Sequence, residues 1–183
     1  MNMKRTMPAL TALVCAALMC AGCAAIVPRN EAKALGREIE LDLGGAHVEY
    51  SYDSHGGFLG DGAYMARIDC RGTDVARQLE TAAHWRELPL TPDLSLLAYG
   101  GERDGCTYGI TTYGYDGRGL PDYENPFFPK IEHGMYYFRD RYSDMPESER
   151  YSDSQVKGRY SYNFTLAVYD SDTGMLYCYI LDT

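Results

Sequence analysis

The chain of 183 residues carries a formal charge of −9, from 26 acidic against 17 basic side chains. An acidic surface without a Lys/Arg cluster repels nucleic acid and anionic lipid, which removes nucleic acid as an expected partner. The length suggests one domain, and 17 tyrosines against five phenylalanines and one tryptophan suit half-buried strands and binding surfaces.

In chain order, Lys4 and Arg5 precede an uncharged, Ala- and Leu-rich run from Met7 to Val27. A positive start, an apolar stretch and small residues ahead of a cut site make a secretory signal. The residues Cys20-Ala21-Gly22-Cys23 resemble the lipobox of bacterial lipoproteins. That resemblance implies a signal peptide over 1–22, cleavage before Cys23, and diacylglycerol on the Cys23 thiol. An uncleaved transmembrane helix is the alternative, since the run is just long enough to span a bilayer. Pro8, Gly22 and three cysteines make it a poor helix. Both readings place the remainder on the extracytoplasmic side of the cell membrane, held by the N-terminus. Without the leader, which holds two bases and no acid, the formal charge falls from −9 to −11. The tether must then come from lipid and not from a basic patch.

Residues 23–35 are read as lipidated cysteine and spacer, and 36–183 as a single domain. In REIELDLGGAHVEYSYD, Ile39, Leu41 and Leu43 alternate with Glu38, Glu40 and Asp42. Beyond Gly44-Gly45, Ala46, Val48, Tyr50 and Tyr52 alternate with polar residues. Two glycines between alternating runs predict a hairpin with Leu41 facing Val48, Asp42 beside His47 and Glu40 opposite Glu49. AYMARIDC (63–70) is the expected third strand, and Thr73 the cap of a short helix TDVARQLETAA. HWRELPLTPDLSLLAYG reads as an irregular link into a strand near Leu94–Tyr99. Residues 100–129 hold at most one short strand around TYGITTY, 134–142 form a strand, and MPESERYSDSQVKG reads as a polar, mobile loop. At the end, Phe164, Leu166 and Val168, then Leu176, Cys178 and Ile180, alternate across the turn Asp170–Gly174 as a second hairpin. These elements give an α+β fold, a mainly antiparallel sheet of hairpins with one short helix packed on it.

HGGFLGDG, YYFRDR and RYSYNFTLAVYDSDTGMLYCYILDT resemble a group of small exported proteins and lipoproteins of gut Gram-positive bacteria. The resemblance implies export and a shared fold. It supplies no catalytic residue, because that group has no assigned activity.

Chemistry-bearing residues concentrate in DSHGGFLGDG (53–62). Asp53, His55 and Asp61 could bind a divalent cation or make a carboxylate-oriented histidine base. Alternatively the glycines supply positive φ for a long hairpin loop while the acids bond its amides. Phe58 and Leu59 at the tip either fold back onto the sheet or meet a ligand. The loop lacks the Lys-Ser/Thr ending of a phosphate loop, and DSDTG (170–174) lacks the later acids of a Ca²⁺ loop. There is no GxSxG or SxxK, and the His84-Trp85 pair reads as packing. An exported domain favours a disulfide. Cys70 and Cys106, each beside turn residues, are the expected pair, with Cys178 packing as a small hydrophobe. Two functional expectations follow. One is a non-enzymatic binding or interaction domain, facing an envelope protein or a small-molecule ligand and needing no cofactor. The other is a small metal-assisted hydrolase using Asp53, His55 and Asp61. A proteinaceous inhibitor is a third.

Overall fold

The computed structural model describes residues 31–55, 60–108, 113–115, 121–142, 144–156 and 159–183, with only the backbone path for 106–108, 113–115 and 121–125. The leader with Cys23, and the loop tip with Phe58, lie outside the described residues. Helix α1 (Glu31–Glu38) leads to strands β1 (His47–Asp53) and β2 (Gly62–Asp69), then helix α2 (Val75–Leu79), strand β3 (Trp85–Glu87) and helix α3 (Pro92–Tyr99). Short strands β4 (Gly101–Arg103) and β5 (Cys106–Tyr108) pair with each other, as do β6 (Tyr113–Tyr115) and β7 (Pro121–Pro126). Strands β8 (Gly134–Asp140), β9 (Asn163–Asp170) and β10 (Met175–Asp182) complete the main sheet. Its order is β1-β2-β10-β9-β8-β3, and each of its pairings is antiparallel. The fold is α+β with a dominant antiparallel sheet, as the sequence predicts. No helix among the described residues is long and apolar enough to cross a membrane.

Both faces of the sheet are covered. On one face α1, residues 39–43 and α2 pack Leu35, Ile39, Leu43, Val75 and Leu79 against Ile68, Ala167 and Cys178. On the other, α3 packs Leu94 and Leu97, joined by Phe128 and Val156, against Met65, Phe164, Leu166 and Val168. A strand covered on both sides reads as a nearly continuous apolar run, and β9 is buried at six successive positions from Phe164 to Tyr169. Each fully buried Leu, Ile or Phe side chain contributes about 1.5–3 kcal/mol.

Several expectations change. The first hairpin does not form: β1 pairs with β2, and residues 39–43 run beneath α2. Ile39 and Leu41 donate their N–H groups to Leu35 and Gly36 carbonyls at 3.0 and 2.8 Å, continuing the end of α1. Gln78 of α2 clamps the segment, accepting from Asp42 N–H at 2.7 Å and donating to Asp42 O at 2.9 Å. The alternation of Ile39, Leu41 and Leu43 therefore records a buried irregular segment, since a chain with side chains tucked under a helix repeats much as a strand does. Part of the presumed spacer is α1, whose Ala32 and Leu35 enter the core. A β-bulge between Val48 and Tyr50 turns Val48 to the α1 face and Tyr50 and Tyr52 to the α3 face. An extra residue in one strand reverses which side chains point inward beyond it.

The strand expected at 94–99 is α3. Thr91 accepts from Leu94 N–H at 3.3 Å, Pro92 opens the helix and Asp93 sits in its first turn, a helix-start signature that outweighs the apolar run read as a strand. The loop 145–156 is anchored by Met145 and Val156, which are 6% and 0% exposed. Cys70 and Cys178 are both free and buried. The expected Cys70–Cys106 link is thus not formed: Cys70 sits among apolar side chains at the end of β2, and burial pushes its thiol up to about 12. The Cys106 side chain lies outside the described residues.

Candidate functional site

Three polar constellations stand on this frame. The first closes the end of the sheet where β1, β8 and β10 finish. Asp53 and His55 come together as the sequence suggests, with His55 Nδ1 2.7 Å from Asp53 Oδ1. The base of the loop is pinned by Ser54, whose N–H donates to Ala63 O at 2.9 Å and whose hydroxyl accepts from Ala63 N–H at 2.8 Å. Gly62 permits this closure, because a Cβ there would stand 2.6 Å from the His55 backbone.

Asp61 does not join the set; it is exposed. Its place is taken by Asp182 of β10, whose Oδ2 lies 3.1 Å from His55 Nε2. Register alone brings it there: Asp182 lies opposite Gly62. Asp182 Oδ1 also meets Arg141 Nη2 at 3.0 Å. Arg141 donates further to Leu181 O at 3.2 Å and has its Nε 3.7 Å from Glu38 Oε1. Glu38 in turn accepts from the buried Thr165 hydroxyl at 2.6 Å. The His55 side chain is 26% exposed and its two ring nitrogens each face a carboxylate. The two contacts hold the ring between the ends of β1 and β10. Among the described residues, no three His, Cys, Asp or Glu side chains are grouped to hold a metal ion.

Sequence reasoning missed the second constellation. Glu40, in the left-handed region at φ 61°, accepts from Tyr151 hydroxyl at 2.6 Å and from His84 Nδ1 at 2.7 Å. The His84 and Tyr151 rings stack 3.5 Å apart and 7° from parallel. Burial pushes the Glu40 carboxyl up, but the bonds from Tyr151 and His84 outweigh it and hold the group below the usual carboxylate range. Beside it, Trp85 donates its indole N–H to Ile39 O at 2.9 Å. The His84-Trp85 pair does pack, and it fastens the α1 end to the sheet. No sequence signal joins residues 40, 84 and 151, since their meeting depends on the irregular path of 39–43.

The third is an open cleft of about 290 Å³ at the opposite end of the sheet. Its floor is a cross-strand row: Glu87 of β3 opposite Met135 of β8, and Met135 opposite Tyr169 of β9. One wall is the end of α2, with Ala76, Leu79 and Glu80, and Ser171 stands at the rim. Along this row exposure rises from the buried Tyr169 through the half-buried Met135 to the exposed Glu87. Tyr169 is 7% exposed, and burial pushes its phenol above the ordinary tyrosine value. Close by, His133 Nδ1 and Asp172 Oδ2 pair at 2.9 Å.

No protein-family model, curated protein or solved structure matches this chain.

Proposed function

We propose that the protein is a membrane-anchored extracytoplasmic lipoprotein whose folded domain is a non-enzymatic binding module. The leader supports the anchor, through Lys4 and Arg5, the apolar run and Cys20-Ala21-Gly22-Cys23. One observation carries the binding reading: the open cleft floored by Glu87, Met135 and Tyr169. Its floor is rigid, because three adjacent strands hold it, and a concave apolar surface with a few polar groups is the usual form of a ligand site. The imidazoles of His55 and His84, by contrast, are engaged with their own carboxylates. The metal-assisted hydrolase reading loses its ligand set with Asp61 outside the His55 group.

The anchor is tested by Cys23→Ser in the full chain, expressed in a bacterial host with labelled fatty acid. Label and membrane fractionation are expected to disappear together. Retention of label in the variant would sink the assignment of Cys23. Binding is tested by titrating the purified, isotope-labelled full chain with a panel of small amines, acids and alcohols: saturable amide shifts are expected at Leu79, Met135 and Ser171 around the cleft, and a cleft silent to the whole panel would sink the binding reading.

A further inference from the structure

We propose that Tyr151 is a redox-active residue, the surface outlet of an aromatic relay from Trp85 through Tyr137, which gives its electron to a one-electron oxidant while Glu40 takes its proton. This does not depend on the binding-module reading and uses none of the residues that line the cleft. The relay follows from the rings. Trp85 of β3 is buried, and its ring centre lies 5.7 Å from that of Tyr137 on β8. Tyr137 is wholly buried and meets Tyr151 edge-on at 6.0 Å. Tyr151 is half-buried and stacks on His84 at 3.5 Å. Each ring is thus in contact with the next, and the series runs from the core to the solvent boundary.

The proton path follows from the carboxylate. Glu40 Oε1 accepts the Tyr151 O–H at 2.6 Å, a charge-assisted length, and Oε2 lies 2.7 Å from His84 Nδ1. Burial, reinforced by the Glu40 bond, holds the Tyr151 phenol above the ordinary tyrosine value. Against its own burial, the bonds from Tyr151 and His84 hold the Glu40 carboxyl below the usual carboxylate range. At neutral pH the phenol therefore keeps its proton beside an ionised base, and the electron and proton leave it together. An independent observation lies in the backbone. Glu40 sits in the left-handed region at φ 61°, which a non-glycine residue keeps only where its surroundings impose it. In that conformation one carboxylate stands between a phenol and an imidazole.

The step balances. An oxidant that accepts one electron, such as a peroxyl radical or a high-potential metal complex, is reduced by one. The Tyr151 O–H bond breaks, its proton forms an O–H bond on Glu40 Oε1, and a neutral phenoxyl radical remains. Where the electron is first lost from Trp85, the relay refills it: indole radical cation, phenol and carboxylate become indole, phenoxyl radical and carboxylic acid.

The test oxidises the purified full chain in detergent with photogenerated tris(bipyridine)ruthenium(III). Electron paramagnetic resonance follows the radical, and mass spectrometry maps the oxidised side chains. Tyr160, which is fully exposed, is the internal control. Oxidation is expected at Tyr151 ahead of Tyr160, and Tyr160→Phe should leave the radical signal in place. Tyr151→Phe should abolish that signal and raise oxidation of Trp85. Glu40→Gln should slow oxidation of Tyr151 about a hundredfold, the low end of what a positioned proton acceptor contributes, with Tyr160 unchanged. Products confined to Tyr160 and other exposed tyrosines would overturn the inference, and the unaltered chain alone decides this whatever the folding of the variants. Tyr151 oxidised equally fast in Glu40→Gln would overturn it as well. So would Trp85 oxidation left unchanged by both Tyr137→Phe and Tyr151→Phe, since a relay cut at either ring strands the charge on the indole.

Discussion

The two ends of the main sheet are built from similar residues and finished in opposite ways. At the His55 end, Asp53, His55, Asp182, Arg141, Glu38 and Thr165 meet in succession, each charge answered by the next. At the cleft end, Glu80 and Glu87 stand exposed beside an apolar row and a buried phenol. Satisfied charges make a lock: they hold strand ends in register and leave little for a ligand to gain. At the cleft end the carboxylates of Glu80 and Glu87 face water instead. In this molecule the conspicuous imidazole therefore marks the structural end, and the plainer end carries the opening.

Breaking either end should show the contrast. The largest effect is expected at Gly134, the glycine that begins β8 beside the cleft. Its φ is +154°, and a Cβ there would stand 1.9 Å from Tyr169 O. Gly134→Ala should cost about 3 kcal/mol or more in urea unfolding, because backbone cannot yield as a side-chain tip can. Next comes Arg141→Ala, which leaves Glu38 and Asp182 facing each other's vacancy with side chains only 26% and 29% exposed. A loss of about 2 kcal/mol is expected; unchanged stability would mean the His55 end is no lock. Glu80→Gln or Glu87→Gln should move the unfolding free energy by less than about 0.5 kcal/mol, since both side chains are exposed. A large loss of stability there would merge the two ends into one structural role.

The smallest effect concerns His133. The Asp172 carboxylate bonded to it raises its affinity for a proton above the ordinary imidazole value. A raised folded-state value means the stabilising contribution is complete below the unfolded-state value and disappears as pH rises through the folded one. NMR titration should place His133 above a free histidine, and Asp172→Asn should bring it back. Because the pair is fully exposed, salt should shrink the difference.

Much of this frame is legible in the residues. Phe164, Leu166 and Val168 beside Leu176, Cys178 and Ile180, with DSDTG between, specify β9–β10, and AYMARIDC and GMYYFRD specify most of β2 and all of β8. These strands are long, and their turn chemistry agrees with their periodicity. The run from Ile39 to Tyr52 misleads for two physical reasons. A buried irregular segment alternates as a strand does, and the bulge after Val48 changes the inward set without any mark in composition. Leu94–Tyr99 misleads because a helix apolar on most sides shows no clear period, although Thr91-Pro92-Asp93 announces its start. At the candidate sites, proximity in sequence finds Asp53 with His55. Asp182 and the row Glu87–Met135–Tyr169 arise only from pairing between strands distant in the chain.

Trp85 is the only tryptophan in the chain, and it is 5% exposed with its indole bonded to the Ile39 carbonyl. Nature has thereby placed an optical gauge at the point where the N-terminal segment enters the fold. Its emission reports whether residues 39–43 are seated, and Tyr137, with its ring 5.7 Å away, feeds it excitation. A red shift in tryptophan emission at a denaturant concentration below that of the far-ultraviolet transition would reveal unseating of this segment ahead of the sheet. Coincident transitions would instead show that this segment and the sheet yield as one unit.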